Sequence, residues 1–215
     1  LYTIFFSAFL YIMNCLELFS GTHSVGKVLK EKGHKVISLD LNGADINCDI
    51  LEWDYTKYPK NSFDYIHASP PCNTFSNMRT CWFGREIKAH KGKIFTKELM
   101  LKDQLEIGVP ILNKTREIIN YFNPKYFTIE NPQRGQMKKY ITDLSFADVD
   151  YCMYGLPYKK TTRIWNNFNF EGKLCNNDCG FMIKKKHTKD VCCDFRLNDR
   201  YRIPYTLIED WISQF

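Results

Sequence analysis

"CLELFSGTHSVGKVLKEKGHKVISLD", Cys15 to Asp40, decides the fold. Cys15–Phe19 is almost wholly apolar and reads as a short buried strand. Ser20–Ser24 carry turn chemistry. Val25–Gly33 has helical spacing and closes on a glycine, the residue that most readily follows a last helical turn. His34–Asp40 is a second strand. Strand, tight turn, helix and strand with short connections make a βαβ unit. In such a unit the backbone N–H groups of the turn can face a ligand. An acidic residue closing the next strand can accept the hydroxyls of a ribose. Asp40 lies 19 residues after Gly21, near the spacing of roughly 20 that this arrangement needs. The unit therefore points to a nucleoside site, although "SGTHS" lacks the full glycine fingerprint and Asp40 could equally be a polar strand cap. Asp49, in "NCDIL", follows another short extended run and could meet a base amino group or cap a turn.

Outward from this unit, β and α signals alternate. Phe63–Ser69 is a strand that ends at Pro70-Pro71. A helix is expected from about Leu99 to Phe122, broken by Asn123-Pro124. Lys125–Glu130 is a further strand, and Ala147–Gly155 with Thr162–Phe168 reads as a closing antiparallel pair. The chain finishes in a short amphipathic helix over Tyr205–Phe215. The alternation predicts an α/β fold with a mostly parallel central sheet covered by helices. Ligands in such sheets bind beyond the C-terminal strand ends. Four polar motifs sit there: Ser20–Ser24, Asp40, Pro70–Cys72 and Glu130-Asn131-Pro132. They are expected to converge on one cleft. The expected organisation is a leader over residues 1–12, a catalytic unit over 13–167, a small Cys/Lys-rich appendage over 168–203, and a terminal helix over 204–215 that packs back on the catalytic unit.

With 215 residues, 44% hydrophobic and 15% aromatic, the chain can bury a sizeable core, which excludes disorder. A formal net charge of +6 suits an anionic partner such as nucleic acid. Nine cysteines, an odd number in a chain this long, point to a reducing, intracellular setting with thiols free or bound to metal. "LYTIFFSAFLYIM" is apolar and uncharged. It is shorter than the roughly 18 residues that span a bilayer and lacks the basic start of a signal peptide. Met13 is read as the native start, with no membrane association. The competing reading is a true anchor.

Cys72 lies in "ASPPCNTFS", Ala68–Ser76. Most free cysteines are small buried packing residues. Here two prolines make a stiff turn after a strand, beside the nucleoside site, and would present the thiol to the cleft. Residues 77–97 carry Arg79, Arg85, Lys88, Lys91, Lys93 and Lys97 against Glu86 alone, with Trp82, Phe83 and Phe95 interleaved. That mixture suits phosphate contact and base stacking, or simply a solvated loop. Cys175, Cys179, His187, Cys192 and Cys193 follow the spacing C-x₃-C-x₇-H-x₄-C-C. Cys175, Cys179, His187 and Cys192 would suffice for tetrahedral zinc, with free thiols as the alternative. His23, His34, His67 and His90 read as structural or surface residues rather than ligands.

Taken in order, "LELFSGTHSVG" (Leu16–Gly26), "SLD" (Ser38–Asp40), "CDI" (Cys48–Ile50), "SPPCNTFS" (Ser69–Ser76), "ENP" (Glu130–Pro132) and "YGLPYKKTTRIW" (Tyr154–Trp165) resemble the cytosine carbon-5 DNA methyltransferase family, in particular its short phage- and large-virus-encoded members. The resemblance runs from Leu16 to about Asn167. It implies a Rossmann-like S-adenosylmethionine-dependent fold. Phe19 would lie against the adenine and Gly21 beside the methionine part, with Thr22, His23, Ser24 and Pro70 around the donor. Asp40 would hold the ribose, and Asp49 and Ile50 the base. Cys72 would attack carbon 6 of a flipped cytosine, and Glu130 would hold N3. Arg163, with Lys160, would support Glu130 and the substrate backbone. Asn73, Ser76, Arg79, Arg85 and Asn131 would line the substrate.

The chain departs from that pattern in several places. His23 stands where the family has a second glycine, Asn73 where Gln is usual, and Pro132 where Val is usual. Tyr158 and one additional residue precede Arg163. The glycine-asparagine motif before the last helix is missing. Only about 35 residues, 166–200, are left for target recognition, so short or relaxed specificity, or a partner, is expected. The expected protein is a monomer acting on DNA. RNA is the alternative substrate, since a tRNA-modifying branch has similar motifs. A relative that binds donor or nucleic acid without catalysis is the third reading.

Overall fold

The computed structural model describes residues 11–191 and 193–215. The expected leader therefore lies almost wholly outside the described residues, as does Cys192. Among the described residues no helix is long and apolar enough to cross a membrane.

A seven-stranded sheet organises the chain. Its strands are β1 (Asn14–Leu18), β2 (Lys35–Asp40), β3 (Ile46–Asn47), β4 (Tyr65–Ala68), β5 (Tyr126–Pro132), β6 (Phe146–Asp150) and β7 (Thr161–Asn166), in the spatial order β3-β2-β1-β4-β5-β7-β6. β7 is antiparallel to both its neighbours, and the pairs among β1 to β5 are parallel. This is the expected Rossmann-like α/β fold, with the closing antiparallel pair where the sequence puts it. Central parallel strands are covered on both faces, which is why they read as near-continuous apolar runs. All four residues of β4 are buried.

On one face, α1 (Ser24–Glu31) and α5 (Tyr205–Ile212) pack side by side. α5 buries Leu207, Ile208, Trp211 and Ile212. The Trp211 indole stacks on the His67 ring at 5.7 Å and 19°, and Lys32 pairs with Glu209 at 2.8 Å. The other face is covered by α3 (Val109–Phe122), which buries Leu112, Ile118, Ile119 and Phe122. α3 stops at Asn123, whose φ of 45° is left-handed and which precedes Pro124.

The single helix expected over 99–122 is interrupted. α2 (Lys97–Asp103) runs through a π-helical turn at Gln104–Gly108 into α3. Gly108 is pressed by Thr74 and Phe75, and a Cβ there would come within 2.8 Å of the Phe75 ring. The loop that follows Cys72 is thereby seated on the turn. Between β7 and α5 the regular structure among the described residues is the hairpin β8 (Met182–Ile183) and β9 (Lys186–His187), then α4 (Leu197–Arg200).

A second close approach lies under the first loop. Glu17, on β1, is buried and accepts a hydrogen bond from Val25 N at 3.1 Å. Burial pushes its carboxyl up to about 6. A Cβ on Gly26 would overlap Glu17 Oε2 and lie 3.4 Å from Val36. Any side chain at residue 26 would have to push the Glu17 carboxylate aside.

Candidate active site

The turn leaving β1 contains three left-handed residues, Phe19 (φ 58°), Gly21 (φ 47°) and His23 (φ 55°). Outside glycine this conformation costs roughly 1–2 kcal/mol per residue, so the surroundings must impose it. Gly21 N donates to Asp40 Oδ2 at 2.8 Å, and His23 N donates to Ser20 O at 2.6 Å. The His23 ring bridges outward: Nε2 lies 2.8 Å from Gly43 O, and Nδ1 lies 3.8 Å from Glu17 Oε2. The side chain that replaces glycine thus ties the turn to the loop after β2.

Asp40 closes β2 beside this turn and accepts from Leu41 N at 2.7 Å as well as from Gly21 N. A carboxylate offers about four acceptor sites, so Asp40 keeps capacity for hydroxyl donors. Asp49 follows β3, is exposed, and uses one oxygen for Leu51 N at 2.9 Å. Ile50 is buried with Leu39 under the rim. Two carboxylates with spare acceptors, at the C-terminal ends of neighbouring strands and beside a half-buried Phe19, fit a nucleoside donor. Thr22 and Ser24 are partly committed elsewhere. Their hydroxyls meet at 2.8 Å, and Ser24 Oγ accepts from Ile203 N at 3.2 Å.

Cys72 is half-buried four residues beyond β4, and Pro70 before it is buried. Asn131 Nδ2 donates to Pro70 O at 2.8 Å, and Phe75 N donates to Cys72 O at 3.1 Å. Burial pushes the Cys72 thiol above its ordinary range, the charge of Glu130 pushes it further, and Lys160 pulls it down. Glu130 is buried at the end of β5 and accepts from the Tyr151 hydroxyl at 3.2 Å. Lys160 Nζ stands 4.8 Å over the Tyr151 ring and donates to Arg200 O at 2.9 Å. Cys72, Glu130, Lys160 and Tyr151 therefore form one electrostatic group. Tyr151 was not expected from sequence.

Two expected site residues belong elsewhere. Arg163 does not support Glu130. In the β5–β7 register it pairs with Asn131, and Ile164 pairs with Glu130. Side chains alternate across a sheet, so Arg163 points to the opposite face. There it holds Asp148 at 2.7 and 2.8 Å and lies over the Phe146 ring at 3.5 Å. Arg79 is buried and pairs with Asp103, over the Phe95 ring at 4.7 Å; His90 Nε2 joins the same carboxylate at 2.9 Å. It secures the basic loop internally and offers no phosphate contact. Phe95 is fully buried beneath it, so of the three aromatics only Trp82 and Phe83 are exposed for stacking.

Arg85, Lys88, Lys91, Lys93 and Asn73 are exposed. Ser76 Oγ accepts from Met78 N at 3.2 Å and so caps the following turn. Among the described residues, Cys175, Cys179 and His187 of the appendage come together with Cys152.

No family model matches the chain. A probable DNA (cytosine-5)-methyltransferase of Frog virus 3 (isolate Goorha) is 44% identical over 168 residues, which is 76% of this chain and 75% of the viral protein. The chain belongs to the DNA (cytosine-5)-methyltransferase family. Among solved structures, a Spodoptera frugiperda DNMT2 mutant aligns at 16% identity with a TM-score of 0.46, over 75% of this chain and 55% of that one. Membership in a methyltransferase family implies S-adenosylmethionine as donor.

Proposed function

We propose that this methyltransferase adds a methyl group to carbon 5 of cytosine in DNA, with Cys72 as nucleophile and Glu130 as proton donor. The observation that carries this reading is geometric: Asn131, next to Glu130, donates to Pro70 O at 2.8 Å beside Cys72, and Tyr151 meets Glu130 at 3.2 Å with Lys160 standing over its ring. S-adenosylmethionine supplies an electrophilic methyl group when bound. Asp40 would hold its ribose, Asp49 and Ile50 its base, and Phe19 its adenine face.

Carbon 5 of cytosine is a weak nucleophile. Addition of the Cys72 thiolate to carbon 6 converts the ring to an enamine, and the electron pair is taken up as N3 gains the proton of Glu130. Carbon 5 then takes the methyl group. Loss of the carbon 5 proton to water breaks the carbon–sulfur bond and returns the thiolate, and N3 gives its proton back to Glu130, with S-adenosylhomocysteine left as the second product. By giving a proton to N3, Glu130 offsets the charge that the thiolate delivers to the ring. Such acid assistance is worth roughly 10²–10⁴-fold. Lys160 favours the thiolate throughout, and Tyr151 holds Glu130 in place. A cytosine in duplex DNA must leave the stack to reach this cleft. Lys88, Lys91 and Lys93, with Trp82 and Phe83, give an exposed basic and aromatic edge for the strand.

The test is transfer of labelled methyl groups from S-adenosylmethionine to cytosine-containing DNA and RNA in parallel, with Cys72→Ala as control. Incorporation into DNA that vanishes with Cys72→Ala supports the proposal. Incorporation that survives Cys72→Ala overturns the nucleophile, and incorporation into RNA alone overturns the substrate.

A further inference from the structure

We propose that Cys152, Cys175, Cys179 and His187 bind one structural zinc ion, which staples the appendage after β7 to the catalytic sheet. The four side chains come from three separate segments: the turn after β6, the loop at 175–179, and β9. Their ligand atoms all lie within 4.8 Å of one another. His187 Nε2 is 3.7 Å from Cys175 Sγ and 3.4 Å from Cys179 Sγ. A tetrahedron with Zn–S of about 2.3 Å and Zn–N of about 2.0–2.1 Å separates its corners by roughly 3.5–3.8 Å. Both His187 distances match that separation. Apolar packing of three thiols gives no reason to aim an imidazole nitrogen at two of them.

The surroundings fit the same reading. Cys152 and Cys175 are buried, and Cys179 and His187 are half-buried. Three thiolates on a divalent ion leave one negative charge, and Lys159 stands beside them: its Nζ meets Cys175 O at 3.4 Å and Asp150 Oδ2 at 3.0 Å. Asp150, itself buried, accepts from Cys175 N at 2.9 Å and from Thr161 Oγ1 at 2.5 Å. Bonds of this kind fix the backbone that carries metal ligands. The segment also needs a cross-link. Its regular structure is a hairpin of two-residue strands and a four-residue helix, too little to hold itself by core burial.

Cys152 is the informative ligand, because it belongs to the sheet side and not to the cysteine-rich segment. It follows Tyr151, whose hydroxyl meets Glu130. The metal would therefore fix the appendage and the turn that holds the catalytic acid with a single bond set. The site stands independently of the methyl-transfer reading.

The experiment is elemental mass spectrometry on the full chain, purified without chelator from zinc-supplemented culture, with Cys152→Ser, Cys179→Ser, Cys192→Ser and Cys81→Ser alongside. The expected result is about one zinc per chain, lost in Cys152→Ser and Cys179→Ser and kept in Cys192→Ser and Cys81→Ser. Should the ligand variants fail to fold, cobalt titration of the wild-type chain reads the site directly, through the visible bands of tetrahedral cobalt–thiolate. Absence of zinc together with absence of those bands overturns the site. Zinc kept in Cys152→Ser but lost in Cys192→Ser overturns the ligand set.

Discussion

The Asn131 amide donates to the Pro70 carbonyl across 2.8 Å and joins two motifs 61 residues apart in sequence. Both residues are buried. The bond fixes where the stiff Pro-Pro turn sits relative to β5, and so where the Cys72 sulfur stands relative to Glu130.

Asn131→Ala removes the donor and leaves the Pro70 carbonyl unpaired, at a cost of about 1–3 kcal/mol. We expect kcat to fall at least about tenfold, a barrier change of about 1.4 kcal/mol, with KM for the donor unchanged. Urea unfolding and single-turnover methyl transfer check this. A fall in stability with unchanged kcat would show that the turn holds its place without the bond.

Glu130 and Lys160 act on the Cys72 thiol with opposite sign. Glu130→Gln removes the charge that opposes the thiolate and should lower the thiol pKa. Lys160→Met removes the charge that favours it and should raise the pKa. The rate of iodoacetamide alkylation against pH reads both, with Cys72→Ser to subtract the other thiols. Shifts of the same sign in both variants would place one of these charges away from the sulfur.

His23 carries a left-handed backbone and a ring tied to Gly43 O. His23→Ala keeps the backbone cost and loses the tie, whereas His23→Gly loses both. We expect His23→Ala to be less stable than His23→Gly by about 1 kcal/mol. Donor affinity should be equal or better in the glycine variant. Denaturant unfolding and calorimetric titration with S-adenosylmethionine decide it, and a large loss of affinity in His23→Gly would make the ring a donor contact.

His67 is fully buried between Thr128 and Ser69, at 2.8 and 2.9 Å, and burial pushes its imidazole down to about 3. In the unfolded chain the ring titrates near 6.5. Between about pH 3 and 6.5 the unfolded chain holds more protons, so stability falls as pH drops through that window. From pH 6.5 to 5 this residue should cost roughly 1.5 kcal/mol. Glu17, raised to about 6, acts in the opposite sense over about pH 6 to 4.5. The difference between wild type and His67→Asn isolates the histidine. A pH profile unchanged by the substitution would mean that His67 is not held neutral.

The strand-end motifs were legible because each closes or follows an apolar run with its own turn chemistry: Gly21 after β1, Asp40 at the end of β2, Cys72 after β4 and Glu130 near the end of β5. Local pattern fails where a face or a distant partner decides. The β7 register turns the Arg163 guanidinium to Asp148, on the face away from Glu130, while Lys160 stands over the Tyr151 ring. Arg79 looks like its basic neighbours in sequence, and only Asp103, 24 residues on, shows that it is an internal pair. Cys152 lies 23 residues before Cys175, in a strand-pair motif that looks complete without it. The π-helical turn at Gln104–Gly108 interrupts a run whose helical periodicity looks continuous.

The closeness of Gly26 to Glu17 sets an order on evolutionary change. A lineage that gains any side chain at position 26 while Glu17 remains must displace a buried carboxylate from its amide donor. A lineage that first shortens residue 17 opens the space and can then accept alanine at 26. Drift at these two positions is therefore directional, and homologues should populate three of the four combinations, with the long acid facing a substituted position 26 the missing one.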